Sequence, residues 1–282
     1  MKIVDFSIYE VGPRDGLQSA DTITPTAKKV ELIEKIAEVG IKDIEVGAMV
    51  NPNKVPNMAD SALVYSRVAY LSDCNLGVLV PNKKGVERGL EVGVEKFNIF
   101  FSPSDFFNIN NFGRTLSSIF TGYCDALEKI KKEDVRVYLS TSFGCPMAGE
   151  IPEENMRKTL DWADTLGSNI VLCDTVGKAN PTLIDEKMRL TEHLEADIAL
   201  HLHHGLRKGR MLDNLSAAFD CGVTQFDSSI GGMGGCPFIP GSGGNLATEE
   251  LVMWGEKENL DCGVTMADIG SLSKYVERAI KV

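Results

Sequence analysis

The sequence predicts an α/β fold, a (β/α)₈ TIM barrel formed by one domain over residues 1–282. Apolar runs with strand character alternate with segments of helical spacing along the chain, and each kind occurs eight times. This alternation is typical of parallel strands joined by crossover helices. With 282 residues and 43% hydrophobic content, the chain is long enough to close eight such units around one core.

The eight predicted strands are short and end in polar or glycine-rich segments. They are Ile3–Tyr9, Asp43–Val46, Leu76–Val80, Lys96–Phe101, Val135–Ser140, Asn169–Cys173, Asp197–Leu202 and Thr224–Ser228. A doubly wound open sheet is the main alternative. The first strand, however, is not followed by the Gly-x-Gly-x-x-Gly pattern of the nucleotide-binding members of that class.

Helical spacing is clearest in Thr26–Val39, where Val30, Ile33 and Ile36 fall on one face and Gly40 follows as a stop. The other predicted helices are Asp60–Leu71, Lys84–Glu91, Arg114–Ile130, Glu153–Leu166, Leu183–Leu194, Met211–Ala218 and Leu246–Lys257, and the tail Thr265–Val282 is expected to form one or two closing helices. The segment Ser102–Asn111 is interpreted as the loop after the fourth strand.

Composition and charge disfavour several classes of partner. A formal net charge of −11 disfavours binding to a nucleic-acid backbone or an anionic membrane surface. We expect no signal peptide, and the sequence contains no uncharged apolar stretch of roughly 18 residues. Its seven cysteines are scattered, without a Cys-x-x-Cys pair, which indicates reduced thiols. We therefore expect a cytoplasmic protein that acts on a small molecule.

Three of the four histidines lie within residues 201–204, at the end of the seventh predicted strand. Because strand side chains alternate, Ala199, His201 and His203 share one face, which we expect to line the barrel mouth. Two imidazoles so placed are good ligands for a divalent metal. The alternative is a hydrogen-bonded pair of core histidines. His204 points the other way, which predicts a structural or solvent-facing role.

A second polar cluster, residues 10–18, follows the first strand directly and contains Arg14 and Asp15. The carboxylate can bind a metal, and the guanidinium can face a substrate carbonyl oxygen. An Arg-Asp-Gly turn is by itself often structural. In a barrel, however, all strand ends converge, so this cluster is expected to lie beside the histidines.

A glycine-rich segment, residues 231–245, follows the eighth strand. Its composition predicts a flexible lid that excludes water and delivers the thiol of Cys236 to the site. The alternatives are a loop that binds phosphate through its backbone and a loop that is merely permissive.

The motifs at Tyr9–Gln18, Asp43–Asp60, Leu172–Gly177 and Gly231–Glu250 closely resemble those of hydroxymethylglutaryl-CoA lyases, within the wider metallolyase superfamily of barrels. The similarity extends over nearly the whole chain. It implies a carbon–carbon lyase that cleaves a 3-hydroxyacyl-CoA, with 3-hydroxy-3-methylglutaryl-CoA the leading candidate. We also expect a homo-oligomer, a dimer.

The resemblance further implies a role for eight residues. Asp15, His201, His203 and Asn245 would ligate a divalent cation, Mg²⁺ or Mn²⁺. Arg14 would stabilise the enolate oxygen, Cys236 would carry a proton on the lid, and Glu45 and Asp174 would serve acid–base chemistry.

The chain departs from the family pattern around the substrate. His204-Gly205 stands where Asp-Thr is usual, Ser19-Ala20-Asp21 replaces a segment with a CoA-binding lysine, and Gly47-Ala48-Met49 replaces Thr-Ser-Phe. These changes predict an altered acyl pocket. Two other functions stay open from the sequence: a Claisen-type condensing acyltransferase or aldolase acting on an oxo acid, and a metabolite-binding barrel without turnover.

Overall fold

Eight parallel strands hydrogen-bond in chain order, and β8 closes the sheet by pairing with β1. The computed structural model describes residues 4–205, 210–235 and 244–280. The strands are β1 (Ser7–Glu10), β2 (Asp43–Ala48), β3 (Asn75–Leu79), β4 (Lys96–Phe101), β5 (Val135–Leu139), β6 (Asn169–Cys173), β7 (Asp197–His201) and β8 (Gln225–Ser228). The predicted barrel is therefore confirmed, and the open sheet is excluded.

Helices follow the strands and surround the barrel. They are α1 (Thr26–Glu38), α2 (Ser61–Val68), α3 (Lys83–Glu91), α4 (Asp105–Phe112), α5 (Leu116–Ala126), α6 (Glu153–Leu166), α7 (Pro181–Arg189), α8 (Met211–Asp220), α9 (Thr248–Glu258) and α10 (Met266–Ala279). The tail thus forms one closing helix within the described residues. None of the helices described is long and apolar enough to cross a bilayer.

Two predicted elements differ from the structure. The first strand begins at Ser7 because Asp5 donates its N–H to the Asp261 carbonyl (2.7 Å) instead of pairing with a strand. The loop interpretation of the segment after β4 was wrong, because that segment contains α4. The Ser104 hydroxyl caps the first turn by accepting from the Phe107 N–H, and Gly113, in the left-handed conformation (φ 68°), ends the helix.

The alternation of side chains separates an outer core from an inner one. Residues such as Leu200 pack between the sheet and the helices in the main hydrophobic cluster. The inward neighbours Tyr138, Val171, Cys173 and Ala199 form a smaller cluster inside the barrel. The predicted orientation of β7 is therefore confirmed, with Ala199 and His201 on the inner face.

Candidate metal centre

Asp15, His201 and His203 meet at the mouth of the barrel, where each offers one potential ligand atom and all these atoms lie within 4.8 Å of one another. Asp15 belongs to a single turn of π-helix (Gly12–Gly16) that follows β1 directly. His201 ends β7, and His203 lies two residues beyond it. Barrel closure brings together residues that are more than 180 positions apart in the chain.

The two imidazoles converge through their Nε2 atoms, which are 2.9 Å apart. At a metal–ligand distance of about 2.1 Å in an octahedral site, adjacent donor atoms are about 3 Å apart, so this spacing fits one shared cation. The Nδ1 atom of His201 lies 3.0 Å from Asp227 Oδ2. With the Nδ1 proton donated to that carboxylate, the Nε2 lone pair faces the cluster.

The histidines differ in their electrostatic surroundings. Burial alone would lower the pKa of His201, but the hydrogen bond to Asp227 and the charge of that carboxylate outweigh it and raise the pKa. Burial and the neighbouring charge of His201 lower the pKa of His203 to about 4. His203 is therefore neutral near pH 7, the form in which an imidazole binds a metal.

Asn245 lies next to the aspartate and the histidines. Its Nδ2 donates to Asp15 Oδ2 (2.7 Å) and to the Met233 carbonyl (2.9 Å), while its Oδ1 is buried and has no hydrogen-bond partner. A buried carbonyl oxygen without a partner is costly. A hard cation would satisfy it, so the residues present fit the predicted metal.

Arg14 connects the candidate metal ligand Asp15 to a carboxylate that lies deeper in the barrel. Its Nη1 donates to Asp15 Oδ1 (2.7 Å), and its Nε donates to Glu45 Oε2 (2.5 Å). Burial alone would raise the pKa of Asp15, but the charge of Arg14 dominates and lowers it to about 2. Asp15 is thus ionised at any physiological pH, as a metal ligand must be.

Glu45 lies behind Arg14, with none of its side chain exposed. Its second oxygen, Oε1, accepts from Asn98 Nδ2 (2.8 Å). Burial raises its pKa, although Arg14 acts in the opposite direction. The contacts of Glu45 orient the Arg14 guanidinium, a positioning role that sequence reasoning did not specify.

Asp174 follows β6, and its carboxylate accepts from the backbone N–H groups of Lys178 and Ala179, both at 2.8 Å. Burial raises its pKa to about 6, although those N–H groups oppose the shift. Neither Asp174 nor Glu45 is among the described residues that line the cavity at the barrel mouth.

Sequence reasoning missed a buried ion pair beneath the metal centre. Asp227 in β8 accepts from Arg136 Nη2 (2.6 Å) in β5 and from His201. The guanidinium also stacks 4.2 Å from the centroid of the Tyr9 ring. The available signal was Arg136, a charged residue within the otherwise apolar strand Val135–Leu139.

One predicted histidine lies away from the described centre, and one predicted cysteine belongs to a segment that the structure does not describe. His204 turns outward and contacts Glu250, with Nε2 to Oε2 at 2.7 Å, which confirms that it points away from the other two imidazoles. Cys236 and the rest of 236–243 lie outside the described residues, so the predicted lid and its thiol stay predictions.

A cavity of about 440 Å³ opens above the cluster. It is lined by Arg14, Asp15, Gln18, Ser19, Val50, Lys54, Val55, Leu79, Phe100, Phe107, Asn111, Tyr138, Ser140, Cys173, Thr175, His201, His203 and Gly235. Its size and mixed lining are typical of a small-molecule site.

The chain is similar to a well-defined set of proteins. A family model described as HMGL-like matches residues 5–276. The hydroxymethylglutaryl-CoA lyase of Bacillus subtilis is 33% identical over 276 residues, covering 96% of this chain and 92% of that protein. The mitochondrial hydroxymethylglutaryl-CoA lyase of Homo sapiens is 33% identical over 279 residues, covering 97% and 85%. A solved HMG-CoA lyase of Acinetobacter baumannii, in complex with coenzyme A and 3-methylmalate, matches with a TM-score of 0.90 and 32% identity over 98% of this chain and 92% of that one.

Proposed function

The chain belongs to the HMGL-like family and is a carbon–carbon lyase, and from that premise we propose that it cleaves 3-hydroxy-3-methylglutaryl-CoA into acetyl-CoA and acetoacetate. The observation that carries the proposal is the meeting of Asp15, His201 and His203 with Arg14 at the floor of one cavity. A divalent cation, Mg²⁺ or Mn²⁺, would be held by those three ligands and by Asn245 Oδ1.

The cleavage consists of three chemical events. The hydroxyl proton must leave, the bond between C2 and C3 must break, and the electron pair must be held on the thioester oxygen as an enolate. A bound cation would polarise the substrate oxygens. Arg14 lines the cavity with a permanent positive charge, and Glu45 and Asp15 hold its guanidinium in place, so it is the proposed partner of the enolate oxygen.

Acid–base roles are proposed for Glu45, Asp174 and Cys236. Burial raises the pKa of both carboxylates, which makes each a better proton acceptor than an exposed carboxylate. The Cys236 thiol is the proposed donor of the proton that converts the enolate into acetyl-CoA. Its segment lies outside the described residues.

The direct test is an assay of the purified full chain with Mg²⁺ or Mn²⁺ and 3-hydroxy-3-methylglutaryl-CoA, in which both acetoacetate and acetyl-CoA are measured. We expect equal amounts of the two products, and loss of cleavage on removal of the metal by chelation. Absence of cleavage by protein shown to contain bound metal would contradict the proposal.

The condensing and non-catalytic alternatives are not favoured, because the relatives described above are lyases. An acyl-CoA is the proposed substrate class, in line with the coenzyme A complex of the A. baumannii relative. The predicted dimer is tested by the molar mass of the purified protein in solution, measured by light scattering; a monomer mass would contradict it.

A further inference from the structure

The two halves of the cavity are built by different strands. In an eight-stranded barrel closed in chain order, β4 lies opposite β8, and β3 and β5 lie on either side of β4. The candidate metal ligands come from the ends of β1 and β7 and from the segment after β8. A substrate held by its oxygens at the metal centre therefore extends its other groups toward β3, β4 and β5.

That opposite half is largely apolar, and its polar members are Asn111 of α4 and Ser140 directly after β5. Leu79 of β3, Phe100 of β4 and Tyr138 of β5 line it, together with Phe107 of α4. The ring of Phe100 packs against Phe112 with centroids 4.7 Å apart. The Tyr138 hydroxyl accepts from Arg136, below the cavity, at 3.3 Å. We call Leu79, Phe100, Phe107 and Tyr138 the apolar wall.

The charged side chains that line the cavity lie outside this half. Its described lysine and arginine, Lys54 and Arg14, come from the segments after β2 and β1. Among the described lining residues contributed by β3 to β5 and α4, none is charged. A carboxylate against the apolar wall would lose its hydration without gaining a partner, whereas an alkyl group there would be stabilised by burial.

We infer that this chain prefers 3-hydroxy-3-alkylglutaryl-CoA thioesters whose alkyl group at C3 is longer than methyl. The alkyl group would cover the apolar wall, and the terminal carboxylate would lie toward Lys54. The inference rests on the proposed function and changes only the substituent. The hydroxyl proton still leaves, the C2–C3 bond breaks, and the enolate takes up a proton at C2. The products are acetyl-CoA and a 3-oxo acid that carries the alkyl group.

The test compares 3-hydroxy-3-methylglutaryl-CoA with its 3-butyl analogue under identical metal conditions, by acetyl-CoA release. We expect kcat/KM to be at least about 10-fold higher for the butyl compound, because each added methylene buries further apolar surface. Cleavage of the methyl compound with a ratio of one or less would overturn this inference and leave the proposed function intact. Cleavage of neither compound by metal-loaded protein would contradict the proposed function itself.

Two adjacent phenylalanines on α4 provide a matched pair of variants. Phe107 lines the cavity and is 5% exposed, whereas Phe106 is 56% exposed and does not line it. We expect Phe107→Ala to lower the butyl-to-methyl ratio of kcat/KM by at least about 5-fold, and Phe106→Ala to leave it unchanged. The ratio does not depend on the fraction of correctly folded enzyme, so partial unfolding cannot imitate the effect. An unchanged ratio in Phe107→Ala would overturn the inference.

Discussion

At the scale of single residues, the metal centre is a set of side chains whose hydrogen bonds already determine their orientation. Asp15, His201 and His203 were predictable because they lie at or just after the ends of β1 and β7, and the strand ends of a barrel converge at one mouth. The pairing of Asp227 with Arg136 was not, because β5 and β8 are not neighbours in the sheet and the contact crosses the interior of the barrel. A charged residue in an apolar strand signals a buried partner but does not identify it.

The Asp227 carboxylate should control metal affinity through His201. In Asp227→Asn, the amide would no longer attract the Nδ1 proton, so Nε2 would carry it for part of the time and be unavailable as a ligand. We expect Mn²⁺ to bind about 10–100-fold more weakly, measured by calorimetry or by the electron paramagnetic resonance of free Mn²⁺.

A matched control is present on the surface, where the Asp161 Oδ1 and His193 Nε2 atoms are 2.8 Å apart in an exposed pair. Asp161→Asn removes the same charge from the same kind of contact and should leave Mn²⁺ affinity unchanged. Equal affinities of Asp227→Asn and the wild type would contradict the role of Asp227.

At the scale of elements, sequence periodicity predicted the strands closely, because buried parallel strands read as apolar runs. It missed α4, a short helix with three asparagines, which are poor helix formers. The sequence features that indicate this helix are its capping residues, Ser104 and Gly113. Glu10 is another feature that periodicity does not reveal: its carboxylate links the end of β1 to the segments after β8.

Glu10 should make the junction of β1 and β8 sensitive to pH. Its carboxylate accepts from the N–H groups of Gly12 (2.8 Å) and Ile230 (3.0 Å) and from the Thr248 hydroxyl (2.6 Å). Burial raises its pKa to about 7, although these hydrogen bonds oppose the shift. The folded chain therefore binds this proton more tightly than the unfolded chain does. Below about pH 4.5, the proton on Glu10 contributes roughly 3 kcal/mol to the free energy of unfolding. This contribution is lost as the pH rises to about 7.

Glu10→Gln removes this titration, while its amide oxygen can still accept from the N–H groups of Gly12 and Ile230 and its NH2 group can donate to the Thr248 hydroxyl oxygen. Urea unfolding at pH 5 and at pH 8 should therefore show a smaller fall in the free energy of unfolding for Glu10→Gln than for the wild type. Glu153→Gln, at an exposed ion pair with Arg157, should behave like the wild type. An identical fall in wild type and Glu10→Gln would show that this carboxyl does not titrate as proposed.

At the scale of the whole molecule, the candidate ligands join the two ends of the chain. Asp15 follows the first strand, His201 ends the seventh and Asn245 precedes α9, so a cation bound to all of them connects the segments that close the barrel. The sequence predicted this ligand set, through the resemblance and the strand ends. It could not predict the charge distribution of the cavity, because that depends on which side chains face each other across the mouth.

Because the proposed cation would bind the folded chain only, it should raise the melting temperature of the whole barrel. At a Mn²⁺ concentration of 100 times Kd, the gain is about 2.7 kcal/mol, which corresponds to roughly 5 °C for a chain of this size. Asp15→Asn should abolish most of the shift, whereas Asp73→Asn, which breaks the exposed Lys42–Asp73 pair, should retain it. Differential scanning calorimetry with and without Mn²⁺ measures both. A metal-induced shift of equal size in wild type and Asp15→Asn would place the cation somewhere other than this ligand set, because the cluster found among the described residues includes that carboxylate.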